Sequence, residues 1–212
     1  DLYRRDSALV IDLKNKIVQT SSGNLFQYKN MINTIPLPEF IALVKEVPEK
    51  VKLASQALRF TSGAIISLGF NKPDLADKLW YYIYDQEIPP ARVYSPSLKS
   101  SDNCPEGCSS IQAEYYFNWE RSIDQGHILN RTIEKFIDMN LFSKENLVVK
   151  DIRIEKYANV MFDHKIYKNR SEVLDFMKSE GVFSAGRFGE WDYFWSDQSL
   201  MSGIQSAQQL CS

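Results

Sequence analysis

Among 212 residues the chain has only three cysteines and two histidines. Three thiols do not make a disulfide framework. Cys104 and Cys108 enclose Pro105, Glu106 and Gly107, a spacing that suits a stapled loop or half of a zinc site. Zinc needs a second pair of ligands, and neither His127 nor His164 stands at a useful distance along the chain. The segment therefore reads as a plain surface loop, no metal is expected, and a reduced, cytoplasmic setting suits the thiol content. No apolar run approaches the roughly 18 residues that span a bilayer. The charged opening Asp1-Leu2-Tyr3-Arg4-Arg5 is unlike a secretion signal. Positive charge is not in excess either: 25 Lys and Arg stand against 27 Asp and Glu. No basic face for nucleic acid is expected from that balance. Glycines occur, but none in the pattern Gly-x-Gly-x-x-Gly, so the dinucleotide-binding fingerprint is missing. Asp163-His164 has serines nearby but no nucleophile elbow, which leaves hydrolase chemistry without support. A chain that starts at Asp rather than Met is expected to be a fragment or a processed product.

What is present is a globular composition, 44% hydrophobic and 25% charged, enough to bury a core. Aromatic residues gather at Trp80 to Tyr84, Tyr115 to Trp119 and Trp191 to Trp195. Such clusters usually serve a core, and they also line pockets for flat rings and sugars. Residues 7 to 34 alternate as antiparallel strands, with Ser21-Ser22-Gly23 as a turn. Met31 to Ile35 is a short apolar strand that stops at Pro36. Phe40, Leu43, Val44 and Val47 stand at helical spacing, with Pro48 expected to end that helix. Strands are expected over Thr61 to Phe70, Trp80 to Tyr84, up to Tyr94, and over Val148 to Ile154. Residues 95 to 110 read as loop. Ile111, Ala113, Tyr115, Phe117 and Trp119 alternate with polar partners, giving a strand with one apolar face. Glu114 and Glu120 read as surface groups near its ends rather than as an acid–base pair. Helices are expected near 123 to 140, 170 to 179 and 197 to 210. The mixture is α+β, with the two chain ends returning to one sheet region.

The last segment carries the chemistry-bearing pattern. A short strand, Val182-Phe183-Ser184-Ala185, runs into Gly186-Arg187-Phe188-Gly189, then an acidic and aromatic stretch, then a helix opened by Ser196 and Asp197. Gly186 and Gly189 would let backbone approach a ligand closely. Arg187 would pair with phosphate or polarise a carbonyl. The start of the last helix would present free N–H groups and a positive dipole end. The same residues would equally make a simple turn with an N-cap at Ser196.

Phe183-Ser-Ala-Gly-Arg-Phe-Gly-Glu-Trp-Asp-Tyr193, followed by Asp197-Gln198-Ser199 and Met201-Ser202-Gly203, resembles the second flavin-binding motif of UDP-galactopyranose mutase-like flavoproteins, relatives of the flavin amine oxidases. Three other segments agree in order: Asn15 to Pro36 with the meander and closing strand of the flavin domain, Trp80 to Tyr94 with the segment bearing a substrate-binding arginine, and Gln112-Ala113-Glu114 with the next strand. The resemblance implies the C-terminal half of such a protein. Residues 1–47 and 181–212 would be the remnant of a Rossmann-like FAD domain whose N-terminal part is missing, and residues 48–180 a mixed-sheet substrate domain with helices. It implies FAD as cofactor, met by Gly186, Arg187, Phe188, Gly189, Asp197, Gln198 and Ser199, with Arg187 also catalytic. It implies a nucleotide sugar such as a UDP-hexose as substrate, its diphosphate held by Arg92, Tyr157 and Tyr193. In the mutases a reduced flavin attacks the anomeric carbon, and the sugar ring opens and re-closes at another size without net redox. An oxidase or desaturase relative, and a non-catalytic substrate-domain fragment, are the competing readings. Without the fingerprint half, the chain is expected to hold FAD weakly or not at all.

Overall fold

The computed structural model describes residues 1–211 apart from 74, 76 and 77. In chain order the elements are β1 (Ala8–Asp12), β2 (Ile17–Thr20), β3 (Leu25–Gln27), β4 (Met31–Asn33), α1 (Leu37–Leu43), α2 (Glu49–Gln56), β5 (Phe60–Phe70), β6 (Trp80–Tyr82) and β7 (Arg92–Tyr94). There follow α3 (Pro96–Lys99), β8 (Ser109–Phe117), α4 (Gln125–Asp138), β9 (Leu147–Val160), α5 (Ile166–Ser179), β10 (Val182–Ser184), α6 (Gly186–Gly189) and α7 (Ser196–Cys211). They form two compact units. Unit 1 is Asp1–Arg59 with Asn159–Ser212, and unit 2 is Phe60–Ala158.

In unit 1, β1, β2 and β3 make the expected antiparallel meander. The two ends of the chain meet as the pattern requires, because β10 pairs in parallel with β4, Val182 opposite Met31 and Ser184 opposite Asn33. The helix expected to run to Pro48 stops at Leu43, and Pro48 instead precedes α2. Proline's fixed φ suits the residue at a helix start, where no N–H is needed. Nothing in the apolar spacing announced α2, because it buries Val51 with the small residues Ala54 and Ser55. It packs on α5, which buries Ile166, Val173 and Met177.

The turn between β2 and β3 is tied to the N-terminal segment by one carboxylate. Asp6 accepts hydrogen bonds from the hydroxyls of Thr20 (2.8 Å), Ser21 (3.1 Å) and Ser22 (2.7 Å) and from the Ser22 N–H (3.0 Å). The Ser22 hydroxyl, then the Ser22 N–H, hold its acidity well below the ordinary value of 3.8. A depressed carboxylate stabilises above the unfolded-chain value and loses that contribution as pH falls through the folded one. Protection of the Ser22 amide, measured as its exchange rate relative to an unfolded chain at the same pH, is therefore expected to be high above about pH 5 and to fall as pH drops below 3.8, with Asp6→Asn already unprotected at neutral pH.

Unit 2 is a five-stranded sheet in the order β6-β7-β8-β5-β9. Alternation sets its two faces. One carries Ile66, Leu68, Phe70, Val93, Ile111 and Ala113 against Ile128 and Phe136 of α4. Asp124 caps α4 by accepting from the His127 N–H at 3.0 Å. Asn140, at φ 58°, ends the helix, and the Leu141 N–H closes back on Phe136 O at 3.0 Å. The opposite face carries Ile65, Ser67 and Gly69 of β5 beside Gln112 and Glu114 of β8. Residues 95 to 110 are more ordered than a loop: α3 and a 3₁₀ turn, Ser101–Asn103, occupy half of the stretch before β8.

Candidate functional site

In unit 1 the motif turn is built on β4 and α7. Gly186 takes φ +80°, a conformation that favours glycine. Its N–H donates to the Ser202 hydroxyl at 2.8 Å, and Ser202 in turn donates to the Glu190 carboxylate. One turn further on, Ser206 donates to Ser184 O at 2.8 Å. Two buried serines of α7 thus fasten it to the end of β10, and this is the use of the helix's small face. Gly186 to Gly189 form a single helical turn rather than an open loop.

The two glycines have different reasons. Around Gly186 a Cβ would meet nothing within 4 Å, whereas at Gly189 it would lie 2.7 Å from Asn33 O. Gly189 is therefore needed by the approach of the chain to itself. Gly189→Ala is expected to cost about 1–3 kcal/mol, because backbone rather than a flexible side chain must yield. Chemical denaturation monitored on unit 1 measures it, with Gly203→Ala as a control, since a Cβ there meets nothing within 4 Å.

The structure brings Arg187 and Tyr193 together. The guanidinium carbon lies 4.7 Å from the centre of the Tyr193 ring, a cation–π arrangement. Arg187 Nε donates to Phe194 O at 2.8 Å, which fixes the side chain from behind. Phe188 is half-buried, its ring 6.3 Å from that of Trp191. Asp197 and Gln198 are exposed at the start of α7, and the Gln198 side chain accepts from the Trp195 N–H at 2.8 Å. Ser199 is half-buried in the same first turn, its N–H donating to Trp195 O at 2.9 Å.

A clamp not legible from the motif holds this turn. Arg170 of α5 donates from Nε to Glu190 O at 2.7 Å and pairs through Nη1 with Asp192 at 2.6 Å. Between those two partners sits Trp191, fully buried and at φ 56°. Sequence spacing has no signal for Arg170, because its partners lie some twenty residues away on another element.

In unit 2, Arg92 does not stand alone. Its Nε and Nη2 donate to the two oxygens of Glu114 at 2.9 and 2.6 Å, and Tyr116 donates to the same carboxylate. The hydrogen bond that Arg92 donates to Glu114 is the first cause holding its guanidinium more firmly protonated than usual. Glu114 is buried in the middle of β8, opposite Arg92 and Ile65, and is not the strand-end surface group its position suggested. The reason is the pleat. Gln112, Glu114 and Tyr116 share the polar face of the alternation, and that face is covered by neighbouring side chains. Beside this pair Tyr94 donates to Gln112, and Gln112 Nε2 donates to Ser67 Oγ at 2.9 Å. Burial, then the Glu114 charge, raise the Tyr94 phenol above its ordinary value.

Tyr157 is not brought to Arg92. It lies on β9, three strand steps from β7, or about 14 Å. Its ring packs 4.3 Å from that of Phe60, with Lys156 Nζ 5.0 Å from its centre.

No protein-family model matches the chain. Solved structures do. A crystal structure of reduced UDP-galactopyranose mutase superposes with a TM-score of 0.89 at 22% identity, over 97% of this chain and 46% of that one. The chain has the fold of UDP-galactopyranose mutase. It spans less than half the length of that structure. A protein from Exiguobacterium sp. 255-15 named for protoporphyrinogen oxidase gives a TM-score of 0.64 at 10% identity, over 96% and 47% of the two chains. A Pyrococcus furiosus protein gives 0.60 at 11% identity, over 97% and 46%. The ranking agrees with the sequence motifs: the mutase fold matches far better than the oxidase-type one, and the matched share fits one half of such a protein. Among the described residues no helix is long and apolar enough to cross a membrane, and no group of three or more metal-ligating side chains occurs.

Proposed function

We propose that this chain is part of a flavin-dependent, UDP-sugar mutase-like isomerase. The observation that carries the reading is the likeness to UDP-galactopyranose mutase across 97% of the chain. In this reading unit 1 carries the flavin side, proposed at residues 1–47 and 181–212, and unit 2 lies within the substrate side, proposed at residues 48–180.

The residues of unit 1 suit a flat, partly apolar cofactor. Backbone is bare at Gly186 and Gly203, where a Cβ would meet nothing within 4 Å. The adjoining α7 turns its serines inward and leaves Leu200, Met201 and Ile204 exposed. An apolar face of that kind calls for a cover, and the remaining Rossmann-type half together with FAD would supply it. Gly186, Arg187, Phe188 and Gly189 would meet the flavin, with Asp197, Gln198 and Ser199 at its polar edge. A bound reduced flavin would supply the nucleophile for ring opening.

The chain's own residues would hold and orient the sugar nucleotide. Arg187, steadied by Phe194 O and stacked on Tyr193, would present a fixed positive charge where flavin and sugar meet. Arg92 would bind a diphosphate oxygen with the edge of the guanidinium that Glu114 does not occupy. Tyr193, about half exposed, would donate its hydroxyl to the same diphosphate. Tyr157, half-buried with its ring against Phe60, would be the second tyrosine donor to the diphosphate. The free thiols suit a reducing compartment such as the cytosol.

Calorimetry of UDP binding to the flavin-loaded, full-length protein tests the proposal. Submillimolar UDP affinity, lost in Arg92→Lys with flavin retained, supports it. Absence of UDP affinity overturns it, and turnover of an amine or a porphyrin-like substrate instead would establish the oxidase reading that the Exiguobacterium likeness favours. This chain by itself is expected to purify colourless. A stoichiometric flavin band would contradict the dependence on the other half.

A further inference from the structure

Unit 2 contains a cavity of about 880 Å³ that the proposed chemistry does not use. Its floor includes Ser67, Tyr94 and Gln112, and its rim is formed in part by Lys99, Cys104 and Cys108. Both rim cysteines are half-buried free thiols in a surface turn whose other residues are exposed. Their geometry is that of a pair. The Cys104 thiol donates to Cys108 O at 3.2 Å. Between them the chain makes a tight turn, with the Cys108 N–H on Pro105 O at 3.1 Å. Gly107 at φ +75° lets the turn close, and a Cβ there would meet nothing within 4 Å. Covalent geometry puts a carbonyl oxygen about 3 Å from the Cβ of its own residue. The Cys104 sulfur is therefore within about 6 Å of Cys108 Cβ, and rotation about χ1 with a small shift of an unobstructed turn brings the sulfurs into bonding range.

We propose that Cys104 and Cys108 are a reversible redox pair whose disulfide fastens the segment 96–103 to the start of β8 at the rim of this cavity. The step is thiol–disulfide exchange with a small disulfide such as oxidised glutathione. One cysteine, as thiolate, attacks the glutathione disulfide and releases one reduced glutathione. The second cysteine, having lost its proton, attacks the mixed disulfide and releases the other. The protein loses two hydrogens, and one oxidised glutathione becomes two reduced ones. In the reduced state the Cys104 thiol rests on Cys108 O, and hydrogen bonds hold the segment to β8, among them the Ser110 N–H on Ser97 Oγ at 3.1 Å and Ser97 Oγ on Ser110 O at 3.4 Å.

The test uses the full chain with Cys211→Ser, which removes the exposed third thiol. After equilibration with oxidised glutathione, intact mass is expected to show monomer lighter by two hydrogens, with both thiols lost together and peptide mapping joining Cys104 to Cys108. In Cys104→Ser the same treatment should leave Cys108 as a stable glutathione adduct. Tryptic cleavage after Lys99 should slow several-fold in the oxidised form, and dithiothreitol should restore it. Persistent adducts on both cysteines with no cross-linked species would overturn the pairing. A cross-link that leaves cleavage after Lys99 unchanged would overturn the fastening.

Discussion

Trp191→Ala is expected to lower the stability of unit 1 by about 3–5 kcal/mol, the cost of truncating a large aromatic side chain in a packed site. Trp191 has no exposed surface at all. Its backbone is pinned on both sides, by Arg170 at Glu190 O and at Asp192, so the site has little freedom to collapse around the void. The position adds a second, separable effect. Trp191 sits at φ 56°, where a side-chain-bearing residue is strained by about 1–2 kcal/mol. Trp191→Gly removes the same ring but relieves that strain. It should come out less destabilising than Trp191→Ala, the reverse of the usual order for these two residues. Hydrogen exchange at the β10 amides, which report on unit 1 alone, measures both. Equal losses for alanine and glycine would mean that the backbone strain is not part of the energetics.

The second large effect is expected at Arg92. Arg92→Ala should destabilise unit 2 by about 2–3 kcal/mol, below the full value for breaking a buried ion pair because the arginine side chain is 41% exposed. What dominates is the charge left behind. Glu114 is nine-tenths buried and would keep only Tyr116 as a donor. A buried, unpaired carboxylate favours its neutral form. Arg92→Met with Glu114→Leu should recover most of the loss, since neither partner is left uncompensated. Urea denaturation of the four species across pH 4–8 gives the coupling. Additive single-variant losses would show that the pair does not act as a unit.

These two sites differ in how far they could be read beforehand. The motif around Gly186 and the alternation of β8 were both legible, because each depends on neighbours close along the chain. A turn needs its glycine locally, and a strand shows its faces by period two. The meander and the last helix followed from the same local rules. Helix α2 did not, because its buried side is made of small residues that leave no apolar stripe. The single helical turn at Gly186 to Gly189 has no such signal, since four residues are too few to carry a period.

Sequence by itself determined the α+β class, the motif that pairs a strand end with Arg187, and the resemblance whose fold the mutase superposition bears out. Tertiary structure alone decided which partners those residues have. It gave Gly189 to Asn33, Arg92 to Glu114, Trp191 to the Arg170 clamp, and Tyr157 to Phe60. Each of those contacts joins elements whose separation along the chain is set by the topology of the sheets. No local pattern encodes that separation, because the free energy that selects it is the packing of distant surfaces on one another.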